Sequence, residues 1–581
     1  MKTKLLILSL LTTCGIQAQT PAFTELSDTK PRTSEAQWNA QVKTPQAAWG
    51  SIDIRYSKTS IPQNLTNKWQ ANAWKGERVN GQAVFFTSQD IENVSVTSTP
   101  LKNGKNIIPS SAISISFVRY VMTDELNKPG KDGYKSGCRG NNIKSEWDSS
   151  IVADILDASK TIPVEAKTTR PIWVSVWIPQ ETKPGVYKAN LNIEVEGKNT
   201  ISLPYQISVG TRTLPTPDKW KFHLDLWQNP YAVARYYNVP LWSKEHFDYM
   251  RPIMKTYANA GGKVITASII NRPWAGQTED AFSSMIGKTK NVNGSWSYDY
   301  SVFDRWVEFM MSCGITEQID CYTIVPWSLE FDYYDQASNS VKIIKAEPGS
   351  DGYNNYWLPF LKDFAAHLKA KGWFSRTAIA MDERPREAMN AAEAVIRQAD
   401  SEFKIEGAIH YYPDVEPNIY DLCLAYGETV PSEILERRKN EGKKTTVYTC
   451  CAEAYPNTFT FSKPAEATWI PLHAAAIKVD GYLRWAYNSW TTDPLRDSRF
   501  RSWAAGDCYL VYPEASSIRM ERLIEGIQYY EKIRILREEF ANNPSKIKEL
   551  NLAVSKFIPQ NLHGENATQM VSEFKKVINK Y

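Results

Sequence analysis

The chain has 581 residues, with 68 Lys and Arg against 64 Asp and Glu and a formal net charge of +4. That balance excludes a nucleic-acid or anionic-membrane partner held by bulk charge, and the length calls for two or three compact units. Aromatic residues are abundant, with 20 Trp, 30 Tyr and 20 Phe. They serve cores first, but Trp and Tyr faces also cover the apolar C–H faces of sugars.

The first elements in chain order are processing signals. Lys2 and Lys4, the apolar run Leu5–Leu11 and the triplet Ile16-Gln17-Ala18 read as a signal peptide over 1–18. Export to the periplasm or cell surface is therefore expected, with cleavage near Ala18. Cys14 after Leu11-Thr12-Thr13 offers a rival lipoprotein reading, weakened by Thr13 immediately before the cysteine. No later run is long and apolar enough to span a bilayer.

From 19 to 215 the pattern is short and alternating, as in Ala112–Val118 and Pro171–Pro179. Lys183-Pro184-Gly185 makes a turn and Val186–Val195 alternates again, so a hairpin is expected here and a β-sandwich overall. No acid pair or histidine cluster falls in this stretch. It reads most simply as a support for a catalytic unit, with a sugar-binding module as the alternative. Leu214-Pro215-Thr216-Pro217 is the linker.

Between 216 and 540 strands and helices alternate. The expected strands are Lys221–Trp227, Lys263–Ile270, Gln318–Val325, Thr377–Asp382, Phe403–Tyr411, Tyr420–Tyr426, Lys444–Cys450 and Gly481–Tyr487. Helical spacing marks Phe303–Ser312, Tyr356–Lys371, Glu387–Gln398 and Pro431–Asn440. This is the pattern of a (β/α)8 TIM-like barrel. An open doubly wound sheet is the competitor, although no glycine-rich phosphate loop follows the first strand. Glu330–Pro348 reads as a long insertion, a candidate lid. Cys508–Tyr512 reads as a further strand, and an amphipathic helix is expected from Ile518. The stretch 541–581 forms a helical C-terminal tail.

The fourth strand ends in two adjacent acids, Asp382 and Glu383, followed by Pro385 at a helix start. Acidic residues also favour helix starts for dipole reasons alone. At the carboxyl end of a barrel strand, however, the pair stands where such enzymes hold their catalytic groups. Other functional groups fall at equivalent strand ends: Asp225 and Trp227, Asn271–Trp274, Trp327, His410 to Tyr412, Tyr455 and Trp485–Trp490. An acidic pair ringed by aromatics suits a carbohydrate. The eight cysteines, seven of them beyond the signal, form no disulfide framework, so mostly buried thiols are expected. Cys450-Cys451 lack metal-ligand spacing, and the six histidines show no HExxH pattern. No metal or other cofactor is expected.

Most glycosidases set two carboxylates across the bond, about 5–5.5 Å apart for retention or about 6.5–9.5 Å for inversion. Sequence neighbours on an ideal strand point to opposite faces, so only a twisted or ending strand brings both to one pocket, on the same side of the sugar. That suits substrate assistance, with Glu383 as general acid/base and Asp382 orienting the substrate's own 2-acetamido group. The alternatives are a conventional glycosidase pairing Glu383 with a distant carboxylate (Asp225, Glu330 or Glu514) and a non-catalytic glycan-binding protein.

The MDERP phrase at strand four, YLRWAYNSW (Tyr482–Trp490) and SIRMERLIEGIQYYEKIRIL (Ser517–Leu536) resemble glycoside hydrolase family 123, as does RPIWVSVWIP…KPGVY in the preceding domain. The resemblance implies a β-sandwich followed by a barrel and an exo-acting, retaining β-N-acetylgalactosaminidase. It implies release of terminal β-GalNAc, as from glycosphingolipid glycans, by substrate assistance at Asp382 and Glu383. A tyrosine at the acetamido group is also implied, and Tyr411, Tyr455 and Tyr487 are its candidates. Trp274, His410, Trp485, Asn488 and Trp490 are the further expected substrate-binding residues. Oligomeric state is left open.

Overall fold

The computed structural model describes residues 24–28, 32–124, 149–197, 199–500, 503–564 and 566–581. The expected signal segment 1–18, Cys14 and Cys138 lie outside the described residues.

The N-terminal half is a sandwich of two sheets. One sheet orders Gln46–Gly50, Arg78–Thr87, Thr168–Trp177, Ile113–Thr123, Ser150–Asp157 and Ser516–Ser517. The other orders Trp69–Lys75, Asn199–Thr213, Gly185–Val195, Ile91–Ser98 and Thr161–Val164, with two three-residue strands attached. Inward residues of both, such as Phe85, Ile172 and Val174 against Leu191, Ile193 and Tyr205, share one core. The alternation read from Val186–Val195 is real: Tyr187, Ala189, Leu191, Ile193 and Val195 are buried, while Lys188, Asn190 and Glu194 are exposed.

The expected hairpin across Lys183-Pro184-Gly185 is corrected. That turn carries the chain from one sheet to the other. Thr168–Trp177 pairs with Arg78–Thr87 and Ile113–Thr123, whereas Gly185–Val195 pairs with Asn199–Thr213. The latter hairpin turns through left-handed Glu196 (φ 51°) and Gly197 (φ 66°). Thr168–Trp177 is buried along almost its whole length, so it takes the centre of a sheet rather than one arm of a ribbon.

Eight parallel strands follow: β1 (His223–Leu226), β2 (Val264–Ser268), β3 (Gln318–Tyr322), β4 (Thr377–Asp382), β5 (Lys404–Ile409), β6 (Asp421–Ala425), β7 (Lys444–Tyr448) and β8 (Gly481–Arg484). Each lies inside one of the eight expected runs. They pair as β1-β8-β7-β6-β5-β4-β3-β2. The ring is nearly closed by a bridge between Leu224 and Gly262, where the Lys263 N–H donates to the Leu224 carbonyl at 3.0 Å. Gly481 is required at the β8–β1 contact, because a Cβ there would lie 1.9 Å from the His223 carbonyl oxygen. The four expected helices are Ser301–Cys313, Asp351–Lys371, Arg386–Ala399 and Ser432–Asn440. Asp351–Lys371 shows the usual end chemistry: the Ser350 side chain accepts from the Tyr353 N–H, and left-handed Gly372 stops the helix.

Three expectations past β3 are revised. Glu330–Pro348 is not a lid. Its strands Glu330–Asp335 and Ser340–Lys345 join Gly287–Lys290 and Trp296–Asp299 in a separate four-stranded sheet. That sheet packs on helix Asp351–Lys371 through Phe331–Tyr356, Trp296–Tyr356 and Tyr298–Phe360 contacts of 5.3–5.6 Å. Cys508–Tyr512 contributes only isolated bridges, Asn488–Tyr509 and Tyr512–Ala515. The helix Ile518–Glu539 is not amphipathic, since every residue from Ile518 to Tyr529 is buried.

The reason is its position. One side meets the barrel helix Pro464–Ile477, and Gly526 permits the approach, because a Cβ there would sit 2.7 Å from the Thr468 carbonyl oxygen. The other side meets the sandwich. Lys532 pairs with Glu77 at 2.6 Å, Arg522 with Asp53 at 2.7 Å, and Gln528 exchanges two hydrogen bonds with the Arg78 backbone. Deepest is Asp154, which accepts from Arg519 at 2.8 Å, Arg55 at 2.9 Å and the Tyr512 hydroxyl at 2.6 Å. Burial alone would raise the Asp154 carboxyl, but Arg519 and Arg55 outweigh it and hold it below the usual range. The tail helices Pro544–Val554 and Ala567–Ile578 cover the outer face of these two helices.

Asp154→Ala leaves two buried guanidinium groups without their carboxylate. A loss of about 3–5 kcal/mol is expected from equilibrium urea unfolding, as for other broken buried pairs. A change under about 1 kcal/mol would show that the arginines find other partners.

Candidate active site at the mouth of the barrel

Strand β4 ends with Asp382 paired opposite Ala408 of β5, and the Glu383 N–H still donates to the Ala408 carbonyl at 2.8 Å. Glu383 then takes a left-handed backbone conformation, φ 48°, which non-glycine residues seldom adopt. The change of hand breaks the strand's alternation, so both carboxylates line a single cavity. Its other walls are Trp227, Gln277, Trp327, Ala408, Tyr448, Cys450, Cys451, Leu483, Trp485, Trp503 and Asp507, around an empty volume of about 540 Å³.

The two acids stand in different surroundings. Glu383 is exposed to the cavity and accepts from the Tyr448 hydroxyl at 2.9 Å. Asp382 is only partly exposed and is crowded by protein. Burial and then the charge of Glu383 push its carboxyl up to about 8, against the pull of Arg384 and the indole N–H groups of Trp327 and Trp274. The Trp274 N–H faces the carboxyl without full hydrogen-bond geometry. At neutral pH this favours the protonated form of the Asp382 carboxyl.

Aromatic rings build the wall. Trp227 stacks on Trp274 with centroids 4.8 Å apart, Tyr322 packs against both, and Trp485 meets Trp503 edge-on at 5.8 Å. Two buried arginines hold the loops that deliver this wall. Arg484 donates to the Thr449 carbonyl at 2.9 Å and to Asn457 at 3.0 Å, and it pairs with Asp507. Asp507 in turn accepts from the Trp485 indole at 3.2 Å. Arg519 donates to the carbonyls of Thr458, Gly506 and Tyr509 at 2.6–2.9 Å.

Of the expected site residues, the cavity brings together Asp382, Glu383 and Trp485, with Trp274 stacked behind Trp227. The others are placed elsewhere. β5 ends at Ile409, so His410 turns outward, its side chain 68% exposed, and pairs with Glu428; the Tyr411 N–H binds the same carboxylate. Tyr455 lines a different cavity, between barrel and sandwich. Tyr487 is buried with its hydroxyl donating to the Ile253 carbonyl at 2.6 Å. Asn488 is spent on both backbone groups of Asn229, and Trp490 on the Val511 carbonyl.

None of the three distant carboxylates lines the pocket. Asp225 lies in the barrel interior, accepting from the Trp227 indole at 3.1 Å, and Glu330 and Glu514 are exposed elsewhere. Tyr448 is a residue that sequence reasoning missed, although it closes β7 as Asp382 closes β4. Gln277, Trp503 and Asp507 lie in loops without periodicity, where no local signal marks them. Among the described residues five cysteines are free thiols, four of them buried in line with the expectation of mostly buried thiols, and Cys451 is disulfide-bonded. Among the described residues no cluster of His, Cys, Asp and Glu could hold a metal ion, and no helix is long and apolar enough to cross a membrane.

Paired acids at the carboxyl ends of a parallel barrel, under an indole-lined wall, define the chemistry of a glycoside hydrolase. Residues 227–536 match the model of the glycoside hydrolase 123 catalytic domain, and residues 49–195 that of the glycoside hydrolase 123 N-terminal domain. The chain belongs to glycoside hydrolase family 123. A solved family 123 glycoside hydrolase from Clostridium perfringens, described in terms of glycolipid glycan hydrolysis, is similar over 92% of this chain and 98% of its own. The identity is 28% and the TM-score 0.83. A family 5 xyloglucanase from Bacteroides ovatus aligns over 79% of this chain and 98% of its own at 9% identity, but its TM-score of 0.29 carries no weight. No curated protein matches the chain.

The raised Asp382 sets a pH dependence of stability. The folded state holds a proton that the unfolded state, with an ordinary carboxyl near about 4, has released, so stability falls as pH rises from about 4 to about 8 and then levels. Asp382→Asn removes this contribution. In thermal melts from pH 5 to 9 the variant is expected to gain on the wild type up to about pH 8, and a constant difference in melting temperature would refute the assignment.

Proposed function

We propose that this protein is an exported, retaining exo-β-N-acetylgalactosaminidase that releases terminal β-GalNAc from glycolipid-type glycans by substrate assistance. The observation that carries the mechanism is the left-handed Glu383, which sets two sequence-adjacent carboxylates in one pocket. Neighbours at one strand end reach the sugar from the same side, which fits a nucleophile and an acid set across the glycosidic bond poorly. The one other carboxylate lining the pocket, Asp507, is tied up by Arg484 and Trp485.

The substrate supplies the nucleophile. Its acetamido oxygen attacks the anomeric carbon as the glycosidic C–O bond breaks, and Glu383 gives its proton to the leaving oxygen. Asp382, as the carboxylate, accepts the acetamido N–H and stabilises the oxazolinium ring. Water then attacks the anomeric carbon, Glu383 takes its proton, and the ring opens to the sugar with retained configuration. A donor at Asp382 favours its ionised form, so docking of the acetamido N–H opposes the burial that raises this carboxyl and favours the state with Asp382 ionised and the proton on Glu383. Tyr448, hydrogen-bonded to Glu383, is the tyrosine this pocket offers for the acetamido group. The GalNAc preference rests on the family and on the glycolipid chemistry ascribed to the Clostridium enzyme. Export is supported by the signal-like start and by the disulfide at Cys451.

The test is turnover of aryl β-GalNAc, β-GlcNAc and β-Gal substrates, with β-GalNAc favoured and β-Gal inert. Glu383→Gln is expected to lose about 10²–10⁴-fold in kcat on substrates with poor leaving groups, and Asp382→Asn to lose comparably on N-acetylated ones. A thiazoline analogue should inhibit competitively; its failure against an active enzyme removes substrate assistance. Efficient cleavage of β-Gal would favour a conventional mechanism.

A further inference from the structure

The sandwich carries a groove of its own, which shares no residue with the pocket at the barrel mouth. Lys68, Lys102 and Lys188 line it with Asn190, Pro204 and Gln206, around an empty volume of about 1130 Å³. No Asp or Glu lines it. Register explains the grouping. Lys188 stands directly opposite Lys102 of the short strand Leu101–Asn103 on one side and opposite Gln206 on the other, and Gln206 stands opposite Gln70. Directly opposed residues share a face and strands lie about 4.8 Å apart, so these four side chains form one row about 14 Å long. Asn190, opposite Pro204, begins the next row on the same face. That face is the outward one, since Tyr187, Ala189 and Tyr205 between these positions are buried in the sandwich core.

The lysines are unspent. Among the described residues none of the three ammonium groups has an ion pair or a hydrogen bond. Lys102 and Lys188 also oppose each other across a strand pair, where like charges destabilise a sheet. The one outward acid of Gly185–Val195 is Glu194, four residues or about 13 Å beyond Asn190. The chain itself therefore supplies no counter-charge to the row.

The rest of the face says which anion fits. Beside the lysines stand Gln70, Asn72, Asn190, Gln206 and Ser208, each able to donate and to accept. The nearby rings are turned away, with Trp69 and Tyr205 stacked on each other at 5.4 Å on the core side. A nucleic acid would need exposed rings to stack its bases. A bilayer would need a continuous apolar surface, and only Ile107 and Val186 are large apolar side chains exposed beside the row. Sugar hydroxyls match the amides, and acidic substituents match the lysines. We propose that this face is a binding site for an acidic glycan chain, separate from the catalytic pocket. The lysines take its anionic groups and the amides take its hydroxyls, so the sandwich holds the enzyme on an acidic polysaccharide. The proposal goes beyond the hexosaminidase reading and does not depend on it. Two sources share the chemistry, the carboxylates of a polyuronate and the sulfate esters of a sulfated glycan.

The experiment titrates the full-length protein calorimetrically with three six-sugar probes: oligogalacturonate, sulfated cellohexaose and cellohexaose. None carries a 2-acetamido group, which keeps the pocket's proposed substrate chemistry out of the measurement. The wild type is expected to bind at least one acidic probe in preference to the neutral one, and the probe that binds identifies the source. Replacing Lys68, Lys102 and Lys188 together by Gln should weaken that binding on the order of 10-fold, as the loss of three exposed charge contacts. Lys188→Gln alone should cost about 2- to 5-fold, which keeps the test independent of how the triple variant folds. Raised salt should weaken the wild type more than the triple variant. Removing the same charge at the exposed Lys362, Lys439 and Lys548 should leave the affinity unchanged. An equal loss in that control, or no preference for either acidic probe, overturns the proposal. Binding to phosphatidylglycerol vesicles in place of the acidic probes overturns it as well, in favour of a lipid surface.

Discussion

The site depends on two buried arginines more than on any residue that faces the substrate. The loops after β7 and β8, which supply Cys450, Cys451, Trp485, Trp503 and Asp507 to the pocket, are irregular and leave backbone carbonyls inside the protein. Arg484 and Arg519 satisfy those of Thr449, Thr458, Gly506 and Tyr509. A buried carbonyl without a donor costs as much as a lost hydrogen bond, so irregular loops at this depth need such a cation. Each arginine then needs its own counter-charge. Asp507 supplies it from the pocket wall, and Asp154 supplies it from the sandwich. The N-terminal sandwich thereby supports the candidate pocket at one remove: its buried Asp154 fixes the arginine that fixes the pocket loops.

That linkage explains the all-round burial of Ile518–Tyr529 in helix Ile518–Glu539. A barrel helix normally keeps one polar face for solvent. Here the polar face is turned into the sandwich, and its charges (Arg519, Arg522, Glu525, Lys532) find partners instead of water. Helical periodicity was legible in this segment, but its burial was not. A row of charged residues at helical spacing reads as a solvated face unless the partners, some 365 to 469 residues earlier in sequence, are known.

The same distinction separates what could be read from what could not. The eight barrel strands were legible because each is a short apolar run bounded by polar or turn residues, and so was the acid pair at the end of β4. The sandwich register was not, since a Pro-Gly turn looks alike whether the chain pairs with itself or crosses to the facing sheet. Pocket membership failed where a strand-end rule was pushed past the true end. β5 stops at Ile409 and β8 at Arg484, so His410 turns outward and Tyr411 packs partly buried against the core, while Tyr487, Asn488 and Trp490 fold into loop packing. Tyr448 was available to the same rule. The conformation that makes the pair a pair, a non-glycine left-handed residue at Glu383, has no sequence signal at all.

Beneath the pocket the barrel interior is unusually acidic, and this bears on the charge state of the pair. Asp225, Asp320, Glu406 and Asp421 are all buried in it, with His223 beside Asp421. His223 pairs with Asp421 at 2.8 Å, and that contact outweighs burial and holds the Asp421 carboxyl below its usual range. The others lack such a partner. Burial and mutual repulsion raise Asp320 and Glu406, and push Asp225 up to about 7. Glu406 accepts from the hydroxyl of Tyr322 at 3.2 Å, and the Tyr322 ring packs against Trp227 and Trp274. Register sets Glu406 opposite Ala380, one inward step below Asp382, so a charge on one discourages a charge on the other. The raised Asp382 carboxyl rests first on its own burial and then on the charge of Glu383. A ligand that brings a donor to Asp382 favours its ionised form, and the acetamido N–H of the proposed substrate is such a donor.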